Sequence, residues 1–271
     1  MLPLDLIEET WILAACIQSA CWVVYWIFCR NAVMADLGFC VGFGLVAVVD
    51  GLNASGDPIR RIVVATMAAV YAWRLGFHLF VHRIADKPED ARYRSLRKQL
   101  GRWSEVCAFV YFQGQAVAVV VLSVPLLVLM AAPTPFGGIW DWLGVMIGVV
   151  GVGGEAWADW QLAQFKADSR NRNKVCQIGW WRYSRHPNYF FDVVHWWAYP
   201  VMGLVHPNGW LTMIAPLVMM WALLRVSGVP YAEAQALASK GEAYRRYQAT
   251  TSVFIPWRPK RRDKTMTRNP Q

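Results

Sequence analysis

"RYSRHPNYFFDVVHWW", residues 182–197, sets Arg182, Arg185, His186 and Asn188 directly against a run of aromatic and branched apolar residues. Asp192 and His195 lie inside that run. Hydrocarbon rejects ionisable groups unless they meet one another or line a cavity. Asn188, Asp192 and His195 are separated by four and then three positions, so a helix puts them on one face. The stretch therefore reads as the cytoplasmic start of a membrane helix that carries polar chemistry along one side.

The rest of the chain supports a membrane reading. It has 271 residues, 56% of them hydrophobic, with a mean hydropathy of +0.27. Stretches at roughly 10–29, 33–52, 62–83, 105–131, 139–160, 189–206 and 210–226 approach the ~20 apolar residues that a bilayer core demands. The weakest, 33–52 and 189–206, are interrupted by acids or His. The expected fold is an all-α integral membrane protein with about seven transmembrane helices in one bundle. Residues 1–258 then form a single transmembrane domain, and 259–271 a basic, disordered cytoplasmic tail. Asp5, Glu8 and Glu9 precede the first span, where a signal peptide would be basic, so that helix is expected to stay.

The formal charge of +9 reports topology. With the amino terminus outside, every Lys and Arg except Arg60, Arg61 and Arg74 falls on or next to cytoplasmic segments, which is the positive-inside bias. No nucleic-acid-binding motif accompanies the charge. Contact with anionic membrane lipid or a phosphate-bearing cofactor fits it better. The expected location is the bacterial inner membrane, with the carboxy terminus cytoplasmic. The outer connections "NASGDP" (53–58), "APTPFGG" (132–138) and "HPNG" (206–209) are short turns. The long basic connections 83–103 and 161–188 make the inner side the working face. The six cysteines show no zinc spacing, so no metal is expected. No internal repeat of the kind found in inverted-repeat transporters is present, and no pattern sets an oligomeric state. "GVMIGVVGVGGE" (144–155) lies within a span, so Gly144 and Gly148 read as a helix-packing face rather than a dinucleotide loop.

The remaining intramembrane polar residues also fall on single helix faces: Tyr71, Arg74, His78 and His82, and then Glu155, Asp159 and Lys166. Arg225 ends the last span. On the expected topology most of them occupy the inner half, as do Asp36, Glu105 and Gln113, with Asp50 the main exception. A polar vestibule open to the cytoplasm follows. Glu155 and Asp159 repel at i,i+4 and need cations, protonation or a ligand. Arg83, Arg102, Arg182 and Arg185 read as headgroup anchors, and Trp180, Trp181 and Tyr183 as an interfacial belt.

Several segments together resemble the steroid 5-alpha reductase superfamily of membrane reductases, in particular its bacterial branch. They are "RNAVMADLGF" (30–39), "YAWRLGFHLFVHRI" (71–84), "EAWADWQLAQFKAD" (155–168), "NKVCQIGWWRYSRHPNYFFD" (173–192), "LLRVSGVPYAE" (223–233) and "YRRYQATTSVFIPW" (244–257). The resemblance implies a seven-helix reductase holding NADPH in its later half, about 137–258. It carries cofactor positions onto Glu155, Asp159, Lys166, Lys174, Asn188, Asp192 and Arg225. It carries the substrate-polarising pair onto Tyr71 and Asp36. The family's acid there is Glu, and Val229 and Glu233 stand where steroid-reducing members have His and Tyr. The implied reaction is hydride transfer to an activated double bond of a lipophilic, steroid-like or isoprenoid-like substrate. The superfamily also includes sterol reductases and resembles isoprenylcysteine carboxyl methyltransferases. An S-adenosylmethionine-dependent methyltransferase and a non-catalytic lipid-binding protein therefore stay open as alternatives.

Overall fold

The computed structural model describes residues 4–85, 89 and 91–260. Most of the expected tail, from residue 261 onward, lies outside them. The described residues form α-helices joined by turns, with no strand among them beyond a single bridge pairing Ser184 with Ser252. The helices are α1 (Leu4–Val24), α2 (Met34–Asn53), α3 (Pro58–Leu79), α4 (Ala91–Leu100), α5 (Ser104–Met130), α6 (Ile139–Ala167), α7 (Pro187–Trp196), α8 (Ala198–Gly203), α9 (Ile214–Trp221), α10 (Val229–Lys240) and α11 (Glu242–Thr250). Three of them, α1, α3 and α9, run on into a five-residue π turn.

Among the described residues six helical stretches are long and apolar enough to cross a membrane: Asp5–Cys29, Met34–Asn53, Pro58–Ile84, Tyr93–Met130, Ile139–Ala167 and Gly209–Lys240. The protein is an all-α, multi-pass membrane protein. The expected count of about seven holds only approximately, and the difference lies at 189–206. That stretch is two short helices, α7 and α8, which part at Trp197. Most of it is buried, and His195, Trp196, Tyr199 and Met202 are almost inaccessible, while Trp197, Leu204 and Val205 are exposed. Hydrophobicity there reflects packing inside protein, not length across hydrocarbon. The expected loop 83–103 also departs from expectation, since it contains the polar helix α4.

By internal contacts the chain divides into two compact units, Met1–Met146 with Trp197–Ala215, and Ile147–Trp196 with Pro216–Gln271. In the first, α1, α2, α3 and α5 pack around Phe43, Val46, Val64, Ala68, Phe112 and Val119, all fully buried. Asp57 caps α3 by accepting from the Arg60 amide at 2.9 Å, with Pro58 at the first helical position. The preceding turn is tied to the end of α5: the Gly56 and Asp57 amides donate to the Met130 and Ala132 carbonyls at 3.1 and 3.0 Å. A side chain at Gly56 would strike the Met130 carbonyl oxygen at 2.3 Å, so only glycine allows this approach. The Arg61 guanidinium donates to the Gly51 and Leu52 carbonyls and closes the α2 carboxy terminus. Arg60 is fully buried against Asp141, whose carboxylate also accepts from the Gly137 and Gly138 amides at 3.0 and 3.1 Å. Thr10 donates to Asp50 at 3.1 Å, which accounts for the one acid placed away from the expected inner cluster.

In the second unit, the lower part of α6 packs on α7. A side chain at Gly151 would meet the His195 backbone at 2.5 Å, and one at Gly154 would meet the Phe191 ring at 2.3 Å. The packing reading of the glycine run is therefore right in kind, but its contact positions extend to Gly151 and Gly154. In the first unit, Gly144 faces Met202 in the same way.

Candidate functional site

The second unit carries all seven of the expected cofactor residues. Glu155 and Asp159 are one turn apart on α6, and both are buried despite their charge. Asn188, in the first turn of α7, donates through Nδ2 to the Asp159 carboxylate at 3.0 Å. The other end of that amide, Oδ1, is buried and has no hydrogen-bond partner. One turn on, Asp192 accepts from the Trp196 indole at 3.1 Å. His195 faces the Gly148 carbonyl at 3.5 Å. Lys166, Lys174 and Arg225 are exposed: Lys166 in the last turn of α6, Lys174 after a tight turn, and Arg225 in the π turn that ends α9. The structure thus brings Asp159 and Asn188 into direct contact and leaves the cations at the surface.

The loop between α6 and α7 is held in place by contacts that no spacing rule reveals. The Gln161 side chain accepts from the Trp180 amide at 3.0 Å, next to Gly179 in a left-handed conformation (φ 52°). The Trp181 indole donates to the Ala158 carbonyl at 2.8 Å. Trp181 is buried, so it does not belong to the interfacial belt expected for it. Arg185 also departs from expectation. It is not a headgroup anchor: its Nε donates to Glu233 at 2.6 Å, and its Nη1 donates to the Gln248 and Thr251 carbonyls at 2.9 and 2.8 Å. Glu233 is further held by Gln248 at 2.8 Å and faces the His186 ring at 3.3 Å. Tyr247 donates to the Trp181 and Ser184 carbonyls, and burial pushes its phenol pKa up, so it stays neutral. Burial likewise pushes up the Cys176 thiol. In this way "SRHP" is fastened to α10, α11 and the extended segment "SVFIPW", where the Ser184 hydroxyl donates to Phe254 and the Trp257 amide donates to Tyr183.

The expected substrate-polarising pair lies in the first unit. Tyr71 is fully buried on α3, with its ring edge-on to Phe43 at 6.3 Å. Asp36, in the first turn of α2, accepts from the Tyr111 hydroxyl and the Gln115 amide, both at 3.0 Å, and Tyr111 in turn meets Tyr93 at 3.0 Å. Sequence reasoning missed Tyr111 and Gln115, although their i,i+4 spacing on α5 is a helical-face signal of the kind that found the other clusters. Helices α2 and α3 pair with Gly44 against Ala72 and Cys40 against Gly76. At that register Asp36 lies opposite Phe80, roughly 13 Å along the axis from the level of Tyr71 at 1.5 Å per residue. Among the described residues no group of His, Cys, Asp and Glu is placed to hold a metal ion.

These features define a multi-pass α-helical membrane protein with a buried carboxylate–amide cluster on one pair of helices and cations around its polar loops. A family model described as "protein of unknown function (DUF1295)" matches residues 21–251, and the chain belongs to that family. No curated protein and no solved structure matches the chain.

Proposed function

We propose that this chain is an NADPH-dependent reductase of an activated carbon–carbon double bond in a lipophilic substrate, steroid-like or isoprenoid-like. Membership in DUF1295, a family of the steroid 5-alpha reductase-like group, supports the reaction class. The observation that carries the reading is Asn188. Its amide is fixed at one end by Asp159 and presents a buried acceptor without a partner at the other. Leaving such an atom unpaired costs about 1–3 kcal/mol, which a carboxamide N–H donor would offset. A nicotinamide ring carries that donor.

NADPH, when bound, supplies a hydride to the β carbon of the conjugated system. Asn188 holds the carboxamide, and Asp159 keeps the Asn188 amide from flipping. The buried carboxylates Glu155 and Asp192 accept from hydroxyl or amide donors. Lys166, Lys174 and Arg225 neutralise phosphate oxygens by charge-assisted hydrogen bonds. Tyr71 donates a hydrogen bond to the substrate oxygen as negative charge develops there, in surroundings too apolar for water to compete. Asp36, with Tyr111 and Gln115, sets the charge at the mouth of the same helix pair. The inner bacterial membrane with its amino terminus outside is the setting this reading requires, because the cofactor is cytosolic.

The deciding experiment is purification in mild detergent followed by mass spectrometry of the retained nucleotide, then a screen of conjugated lipophilic ketones read by NADPH oxidation. Retention of NADPH with turnover of one such ketone is expected. Tighter retention of S-adenosylmethionine would replace the reductase by a methyltransferase, and retention of neither would leave a lipid-binding protein.

A further inference from the structure

A cleft of about 650 Å³ opens in the second unit, lined by neither Asn188 nor Asp159 and built from three separate segments. Its lining includes Asn173, Lys174, Arg246, Tyr247, Thr250 and Lys260, and no carboxylate. Lys174 and Lys260 are placed by backbone hydrogen bonds and Arg246 by its helix. Lys174 follows a turn in which Asn173 takes a left-handed conformation (φ 65°), a state Asn tolerates. The Lys174 amide donates to Asn171 at 2.9 Å, and the Asn171 side chain is itself tied to the Phe165 carbonyl at 3.0 Å. Arg246 projects from α11, which Tyr247 pins to the 181–184 segment. Lys260 is brought back to the same place because its amide donates to the Thr250 carbonyl at 2.9 Å.

Three cations converging on a cavity without an acid repel one another, and a fold does not gain stability from that arrangement alone. None of the three makes an ion pair among the described residues. We propose that this cleft is a phosphate-binding site, with Arg246 and Lys260 as its ligands beside Lys174. It takes a compound bearing two or more phosphate charges, or an anionic lipid headgroup at the same membrane face. The shared chemistry is the phosphodiester or phosphomonoester oxygen. The inference shares Lys174 with the NADPH reading above and rests on it to that extent, whereas Arg246 and Lys260 belong to the cleft alone and are the residues tested.

The test uses the full chain in detergent with inorganic pyrophosphate as the probe, and nanodiscs of phosphatidylcholine with or without phosphatidylglycerol. Arg246→Gln and Lys260→Gln should each weaken pyrophosphate binding by roughly tenfold, the size of one charge-assisted hydrogen bond, and binding should fall as salt rises. Arg245→Gln, next along α11 and outside the cleft, should leave it unchanged. Lys260→Arg should restore binding, which a folding defect would not allow. If the parent ignores pyrophosphate but retains phosphatidylglycerol through purification, and the double variant loses it, the source is the headgroup. Equal pyrophosphate binding and equal lipid retention in parent and double variant would overturn the site, and neither result depends on whether NADPH is oxidised.

Discussion

Arg185 and Asn188 are three residues apart in one short motif, yet the structure treats them in opposite ways. Arg185 is closed: its donors reach Glu233, Gln248 and Thr251, and Glu233 is shared with Gln248 and His186. Asn188 is open: one end of its amide is fixed and the other is buried without a partner. A polar residue whose bonds are all internal holds the fold together. One held rigid but incompletely satisfied is available to a ligand. The motif therefore combines a fastening and a site, and resemblance alone does not separate them.

The sharpest way to break that comparison is to cut the fastening. Arg185→Met leaves the Glu233 carboxylate without its guanidinium partner in a mostly buried place. Loss of one partner of such a pair costs about 3–5 kcal/mol. Thermal unfolding in detergent should show a large drop in Tm, and little folded protein should survive extraction. Arg60→Met should behave alike in the other unit, since it would leave the buried Asp141 carboxylate without its guanidinium partner. A variant at Arg185 that kept its Tm but lost nucleotide binding would move Arg185 from fastening to site.

Tyr71 tests the open side at the level of chemistry. Tyr71→Phe keeps the buried ring and removes one hydroxyl, so fold and NADPH affinity should persist. If the hydroxyl stabilises charge that appears only in the transition state, turnover should drop by roughly 10²–10³, with little change in apparent substrate affinity. Steady-state NADPH oxidation with the ketone found by screening measures it. Near-normal turnover would make Tyr71 a packing residue. Asp36→Asn should then be compared at Tyr111 and Gln115, its partners on α5.

Asn188→Ala should give the reverse of Arg185→Met. Stability should change by no more than about 1 kcal/mol, because one bond to Asp159 is lost while an unsatisfied acceptor is removed. NADPH affinity should fall by about 1–2 kcal/mol, read by equilibrium binding. Lys166→Ala and Arg225→Ala should fall in the same range, and NADH should bind less well than NADPH if either cation meets the 2′-phosphate.

What the sequence made legible follows from range. Apolar runs and helical-face spacings are local, so all six of the long spans and the polar faces of α3, α6 and α7 could be read directly. The 189–206 stretch misled because a run buried in protein is as hydrophobic as one buried in lipid. Composition does not mark the break at Trp197. Glu233 lies 48 positions from Arg185, and Tyr111 and Gln115 lie 75 and 79 from Asp36. No periodicity reaches across such gaps, so the partners of these two singled-out residues were invisible. The paired acids Glu155 and Asp159 were found for the right reason, since their repulsion demanded something nearby, and Asn188 supplies part of it.

His206 gives the smallest effect and guards the comparison against a simpler explanation. It too has a buried ring nitrogen, Nε2, with no partner, while Nδ1 meets the Thr134 hydroxyl at 3.4 Å. An orphaned polar atom is therefore not enough to mark a site. His206 sits in a Pro- and Gly-bearing turn, and no buried carboxylate fixes its ring as Asp159 fixes Asn188. Burial, followed by the nearby Arg60 charge, holds its pKa below the ordinary imidazole value, against an opposing pull from Asp141. The unfolded chain takes up its proton first as pH falls, so stability should decline from pH ~7 to ~5.5, across the ordinary imidazole range. Above that range its contribution is constant. His206→Gln should flatten that decline slightly in a Tm-against-pH series, without changing NADPH affinity. An equal slope in parent and variant would remove His206 from the pH response. Any loss of nucleotide affinity in His206→Gln would show that an orphaned atom anywhere in the fold disturbs binding, and Asn188 would lose its special standing.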